Sequence, residues 1–216
     1  MNKKNNKSVS VKTMILTRES NIDNQQSMVE RLNKNNFTDY EFFICPDDTG
    51  EGYTNLDHIN CISKALSVDT VKNVMVLHDD VVLSNKIGNI DVTLSLVKDF
   101  DILYLGFTPL YVNGMQYQYF KMPIFYDTQI KKLNYGAKDL FAYVVSRDGF
   151  ENSISNILKT TTENSSNALL EAQRFNNSYC LIPFYAVNDS FFYGTSYSFL
   201  NKYVKFTGKW SIEEKK

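Results

Sequence analysis

Two adjacent carboxylates follow a strongly apolar run near the middle of the chain. The run is Val74–Leu77, and His78, Asp79 and Asp80 come directly after it. Four consecutive apolar residues predict a strand buried on both faces, as in a parallel sheet covered by helices. An ionised carboxylate that leaves water needs a partner, and at the end of such a strand a hard metal ion with its phosphates can supply one. The alternative is that Asp79 and Asp80 cap the next segment or form an Asx turn.

A second polar group follows the first predicted strand of the chain. Residues Ser8–Leu16 alternate between polar and apolar and then become apolar, and Thr17, Arg18 and Glu19 come next. Because parallel strands end at one edge of the sheet, these side chains are predicted to line a nucleotide-binding crevice. Arg18 is assigned to a diphosphate or a base, although a solvated arginine in a loop is the commoner case.

Two further segments carry a family resemblance. Asp101–Gly106 reads D-I-L-Y-L-G and predicts a buried strand that stops at the glycine. Gly136–Arg147 reads G-A-K-D-L-F-A-Y-V-V-S-R, in which Leu140–Val145 predict another apolar strand. With the strand that ends in acids, they resemble the glycosyltransferases of family 25, the lipopolysaccharide and collagen sugar transferases. The resemblance spans about Val74–Ile157 and consists of short motifs in the right order. It implies a GT-A fold, a hexosyltransferase activity, a nucleotide-sugar donor (a UDP-sugar is favoured) and a divalent metal at a DXD-like motif.

The chain departs from that family beside the acidic pair. The family has an acid where this chain has His78, and imidazole is a ligand that suits Zn²⁺ or Mn²⁺ better than Mg²⁺. Mn²⁺ is therefore the predicted cofactor, with Mg²⁺ as the alternative. Asp80 is assigned as the principal metal ligand, His78 as a second ligand, and Asp79 as a contact of the nucleotide ribose or the metal. A histidine at the core edge, bonded to the backbone, is the other interpretation of His78.

The catalytic base is assigned by the same correspondence. An inverting transfer needs a base within reach of the acceptor hydroxyl. The family carries an Asp-Glu pair where this chain has Thr161–Ser166, in which Glu163 is the one acid. Glu163 is therefore the first candidate, Asp139 the second and Asp189 the third. A plain exposed loop around Glu163 is the alternative, and a retaining transfer would need no such base.

Length and composition limit the class of protein. The 216 residues predict one domain, 1–216, preceded by a disordered tail at 1–7. A net charge of −1 argues against nucleic-acid binding. Three cysteines without a CxxC pair suit a reducing compartment, and no apolar stretch reaches the roughly 18 residues of a membrane span. The expectation is a cytoplasmic protein, bacterial or in the host cytoplasm if viral, with a nucleotide-sugar donor and a saccharide or glycoprotein acceptor as partners.

Alternating strands and helices predict an α/β fold, with a mostly parallel central sheet flanked by helices. Helices are predicted over Ile22–Asn35, from Thr54 onward, and between the acidic strand and Asp101. Asn113-Gly114, between apolar arms, predicts an antiparallel hairpin insertion. Tyr179–Val187 is predicted as one strand.

Two functions of different classes are consistent with these features. The first is a metal-dependent glycosyltransferase that moves a sugar onto a saccharide or protein hydroxyl. The alternative is a non-catalytic module of GT-A fold that binds a nucleotide sugar or a glycan. A two-metal phosphohydrolase is disfavoured because the chain has only two histidines, His58 and His78.

Overall fold

The structure is a computed structural model. It describes residues 11–47, 52–97, 99–109, 111–112, 115–116, 129–133, 137–160, 177–182 and 184–188. The strands are β1 Val11–Arg18, β2 Tyr40–Cys45, β3 Asn73–His78, β4 Val81–Leu83, β5 Ile102–Pro109, β6 Tyr111–Val112, β7 Met115–Gln116, β8 Gln129–Lys132, β9 Ala137–Ser146, β10 Ser178–Ile182 and β11 Ala186–Asn188. The helices are α1 Ile22–Lys34, α2 Asn55–Leu66, α3 Ile90–Leu96, α4 Arg147–Gly149 and α5 Ser155–Thr160, with a 3₁₀ turn at Asn85–Asn89 and a π turn at Phe150–Ile154.

A seven-stranded sheet forms the centre of the described part of the chain, in the order β2-β1-β3-β9-β5-β10-β8. The strands β2, β1 and β3 are parallel, and β5 pairs in parallel with β10. The strand β9 runs antiparallel between β3 and β5, and β8 is antiparallel at one edge. Five strands thus share one direction, which confirms the predicted α/β class with a mostly parallel sheet.

Helices cover both faces of this sheet because its central strands are apolar on both sides. On β3, Val74 and Val76 pack in one core with residues of α2 and α5, whereas Met75 and Leu77 pack in a second core with residues of α1 and α3. All four side chains are fully buried. The apolar run before the acids is therefore a central strand of a three-layer fold.

Local signals position the helices as predicted. Thr54 caps α2: its hydroxyl accepts from the Asp57 amide while the Asp57 carboxylate accepts from the Thr54 amide, a reciprocal capping box. The hydroxyl of Ser146 accepts from the Gly149 amide and caps the helical segment after β9. Helix α1 begins at Ile22 and ends one residue before the predicted end.

Two predicted strands differ from the observed ones. The strand that begins near Asp101 continues through Gly106 to Pro109, with register shifts at the glycine. The predicted strand Tyr179–Val187 is two strands: β10 belongs to the central sheet, whereas β11 pairs with β4 in a separate two-stranded sheet.

The glycine explains where β11 packs. A Cβ on Gly106 would lie 1.8 Å from the carbonyl oxygen of Ala186, so the backbone of β11 crosses directly over β5 at this point. Periodicity cannot show such a contact, because the two strands belong to different sheets.

The predicted hairpin is confirmed in its arms, since β6 pairs antiparallel with β7. Its Asn113-Gly114 turn lies outside the described residues, as does the tail at 1–7. Among the described residues, no helix has the length and apolar character needed to cross a membrane.

Candidate functional site

The polar residues predicted from the strand ends do meet at one edge of the sheet. In the parallel register Leu16 of β1 pairs with His78 of β3, and Arg18 pairs with Cys45 of β2. The amide of Asp79 donates to the carbonyl of Leu16 at 3.1 Å, which continues the ladder by one residue. Thr17 and Asp79 therefore lie side by side at the carboxyl ends of adjacent strands.

The carboxylate of Asp79 is an internal acceptor. It is 2% exposed. Its Oδ2 accepts from the hydroxyl of Thr17 at 2.7 Å and from the side-chain amide of Asn21 at 3.1 Å. Its Oδ1 accepts from the hydroxyl of Tyr53 at 3.0 Å. Three donors from three parts of the chain thus hold this charge in place, which satisfies the requirement that a buried charge be hydrogen-bonded.

Tyr53 contacts several groups of the edge. Burial, followed by the charge of Asp79, raises the pKa of Tyr53 far above its usual range, so its hydroxyl remains a donor. Its ring lies edge-on to His78, with ring centroids 4.5 Å apart, and the guanidinium of Arg18 lies 5.2 Å from the centre of the ring. Tyr53 therefore connects the loop before α2 with the ends of β1 and β3.

Asp80 is bound by a residue of β11, a strand outside the central sheet. It is only partly buried, unlike Asp79. Its Oδ2 accepts from the side-chain amide of Asn188, the last residue of β11. The backbone brings these residues together because Asn188 pairs with Val81, directly after Asp80.

Arg18, predicted as a nucleotide contact, has several protein partners. It is 7% exposed, and its guanidinium lies 3.5 Å from the carboxylate of Asp57. It also donates to the carbonyls of Pro46 and Gly52, on the two sides of the loop between β2 and α2. These contacts give Arg18 the role of fastening that loop to β1. Its predicted contact with a ligand stays a prediction, as does that of Glu19, which is exposed in the turn after β1.

Two uncharged histidines lie beneath the acidic pair. The ring centroids of His58 and His78 are 5.3 Å apart, and Nδ1 of His58 lies 2.9 Å from the hydroxyl of Tyr143. Burial lowers the pKa of His58 to about 4, and burial together with His58 lowers that of His78 well below 6.5. Both Nε2 atoms are buried and have no hydrogen-bond partner in the described part of the chain.

The side chains at this edge suit a hard cation that takes few of its ligands from the protein. Within the residues that the structure describes, no group of three or more His, Cys, Asp or Glu could hold a metal ion. Mg²⁺ and Mn²⁺ do not need such a group, since one carboxylate, water and substrate phosphates can complete the shell. Asp80 fits that requirement better than Asp79: it is partly exposed, although its Oδ1 is buried and its Oδ2 accepts from Asn188, whereas Asp79 is enclosed and both of its oxygens accept hydrogen bonds from the protein. The role of His78 as a second metal ligand stays a prediction.

Of the three candidate bases, one can be placed. Asp139 lies near the start of β9, and because β9 is antiparallel, its start lies at the same edge as the end of β5. Its φ of 67° is in the left-handed region, which is uncommon for a residue other than glycine and costs roughly 1–2 kcal/mol. Glu163 and Asp189 lie outside the described residues.

Sequence patterns missed several residues of this edge. They are Asn21, Tyr53, His58 and Asn188. In so asparagine-rich a sequence, nothing local distinguishes Asn21 or Asn188. Tyr53 could have been found from the sequence, because it directly precedes Thr54, which caps α2 at the edge of the sheet where the site lies.

No protein-family profile matches the sequence, and no curated protein matches it. Among solved structures the chain is similar to A197 from STIV, with 10% identity and a TM-score of 0.46, over 82% of this chain and 85% of that one. It is also similar to a glycosyltransferase involved in the glycosylation of the major capsid of PBCV-1, with 11% identity and a TM-score of 0.41, over 72% of this chain and 69% of that one. At these identities and TM-scores, the two similarities give no information about the activity of this chain.

Proposed function

We propose that this protein is a glycosyltransferase that uses a nucleoside diphosphate sugar, with a UDP-sugar favoured, and transfers the sugar to a saccharide or protein hydroxyl. The observation that carries the proposal is the pair of adjacent carboxylates that follows β3, one of three neighbouring parallel strands. Asp79 is anchored inside the protein by three donors, whereas Asp80 is only partly buried. Ligands of α/β sheets bind at the carboxyl ends of the strands, which is where this pair lies.

The charge of the site explains why such a donor would need a cation. Asp79 and Asp80 are both acidic; the guanidinium of Arg18 lies against Asp57, and that of Arg31 donates to the carbonyl of Val81, directly after Asp80. A diphosphate that approached Asp80 without a cation would meet the charge of this carboxylate directly. A divalent cation on Asp80, Mn²⁺ or alternatively Mg²⁺, would supply the charge that the leaving diphosphate needs as it departs.

The residues of the chain have separate tasks in this proposal. Asp80 binds the cation, with His78 as a second candidate, and Thr17, Arg18, Glu19 and Asp79 shape the crevice around the nucleotide. In an inverting transfer a carboxylate takes the proton of the acceptor hydroxyl. Asp139 lies at the correct edge for this task, and Glu163 and Asp189 remain candidates.

Release of UDP from UDP-sugars tests the activity. The purified chain is incubated with a panel of UDP-sugars, Mn²⁺ and simple saccharide acceptors, and UDP is quantified. We expect metal-dependent release by the wild type and loss of at least about 100-fold in Asp80→Ala, on the scale of removing an electrostatic contact to a leaving group. Asp69→Ala, at an exposed aspartate after α2, is the matched control and should retain full activity.

The same assay separates the enzyme from the alternative function. A chain that binds UDP with Mn²⁺ but releases none from any donor would be a nucleotide-sugar or glycan-binding module. Sugar transfer that persists in Asp80→Ala would instead refute the assignment of Asp80.

A further inference from the structure

Asn188 contacts Asp80, the acid of the pair that is only partly buried. Its side-chain amide donates to Oδ2 of Asp80, although 108 residues separate the two in the sequence. The contact exists because β11 pairs with β4, the short strand that directly follows Asp80. It therefore joins the candidate site to an element outside the seven-stranded sheet.

The position of Asn188 is fixed by the packing of its strand. Ala186 and Val187 of β11 are fully buried, and the carbonyl of Ala186 presses against Gly106 of β5 so closely that no side chain fits there. The amide of Tyr185 donates to the carbonyl of Leu105, which ties the approach to β11 to the same strand. Because β11 is constrained in this way, the side chain of Asn188 at its end can hold the carboxylate of Asp80 in one orientation.

The neighbouring acid is held in a different way. Asp79 is enclosed by Thr17, Asn21 and Tyr53, all on the side of β1 and the loop before α2. Asp80, the next residue, is fixed by β11 on the other side. Different elements thus hold the two consecutive carboxylates in different surroundings.

We propose that Asn188 is a positioning residue: by donating to one oxygen of Asp80 it orients that carboxylate toward the cation, while Asp79 anchors the strand end and does not bind the metal. This inference rests on the proposed function, because it concerns the cation that Asp80 would hold. Groups that orient a metal ligand through a hydrogen bond typically contribute 10–100-fold in metal affinity.

Binding of Mn²⁺ alone tests this role without any assay of turnover. Free Mn²⁺ is measured by electron paramagnetic resonance as the full-length protein is titrated with the ion, and Tm is measured without metal. We expect the wild type to bind, Asp80→Asn to lose binding, and Asn188→Ala to bind roughly tenfold more weakly with its metal-free Tm unchanged. Asn33→Ala, at an exposed asparagine of α1, is the matched control and should bind as the wild type does. Asn188→Leu, which keeps the side-chain volume, replaces Asn188→Ala if the latter does not fold.

The outcomes separate the two proposals. If the Asn188 variants bind Mn²⁺ as tightly as the wild type does, the positioning role is overturned and the proposed function stands. A loss of affinity that is matched by a loss of metal-free Tm would also overturn it, since the role would then be structural. No binding of Mn²⁺ by the wild type would overturn the role of Asn188 and leave the proposed function to the titration with UDP, because the phosphates of the donor supply part of the cation's shell.

Discussion

At the scale of single residues, the two acids of the site differ in their surroundings more than in their chemistry. Asp79 accepts hydrogen bonds from Thr17, Asn21 and Tyr53 and is closed to solvent, whereas Asp80 has Asn188 as a partner and is partly exposed. A charge enclosed by three donors contributes mainly to folding, and we assign the ligand-binding task to the partly buried Asp80. Substitutions at the two positions should therefore have opposite signatures.

Asp79→Asn is expected to destabilise the metal-free protein by about 2 kcal/mol. The amide removes the charge and offers a donor where the Asp79 oxygens now accept three hydrogen bonds. Thermal unfolding without metal should show Tm lowered by about 6 °C. Asp80→Asn is the matched control and should leave Tm nearly unchanged; equal losses in both variants would contradict the division of tasks.

The buried histidines predict a dependence of stability on pH. The pKa of His58 is lowered in the folded state to about 4, and that of His78 is lowered as well. The unfolded chain therefore binds more protons than the folded one below pH 6.5, so stability is complete above pH 6.5 and falls as the pH decreases toward 4. Between pH 7.5 and 5.5, urea unfolding should show a loss of about 1 kcal/mol from His58, to which His78 adds in the same direction. A flat profile over that range would contradict the uncharged state of the buried His58 and of the partly buried His78.

At the scale of elements, the site depends on how β11 packs on β5. The sequence reveals the apolar strands β1, β3 and β9 and the cap of α2, because each is encoded by neighbouring residues. It does not reveal that Tyr179–Val187 divides between two sheets, because that division follows from a contact with Gly106 in a distant strand. For the same reason Asp80 could be predicted and its partner Asn188 could not.

Gly106→Ala is expected to destabilise the protein by about 3 kcal/mol or more. The added Cβ would lie 1.8 Å from the carbonyl oxygen of Ala186 and 3.0 Å from the ring of Phe141, so β11 would have to move. Gly88→Ala is the matched control: its Cβ would meet its nearest neighbour, the carbonyl oxygen of Asn35, at 3.4 Å. Denaturant unfolding should place the control within about 0.5 kcal/mol of the wild type, and equal stability of both variants would refute the close approach.

At the scale of the whole molecule, the sheet brings the ends of six elements to one edge. The parallel strands β1, β2 and β3 end there, α1 and α2 begin there, and antiparallel β9 also begins there. The carboxylates of Asp79 and Asp80 lie at this edge, and the guanidinium groups of Arg18 and Arg31 both donate to backbone carbonyls. The central claim of the proposed function is that a nucleoside diphosphate binds here only together with a cation on Asp80.

Calorimetric titration of UDP, and then of GDP, into the purified chain with and without Mn²⁺ tests that claim most directly. We predict binding of UDP in the presence of Mn²⁺, no measurable binding without it, and loss of binding in Asp80→Asn while Asp69→Ala binds normally. Equal binding with and without the metal, or unchanged binding in Asp80→Asn, would contradict the role given to the strand-end carboxylate.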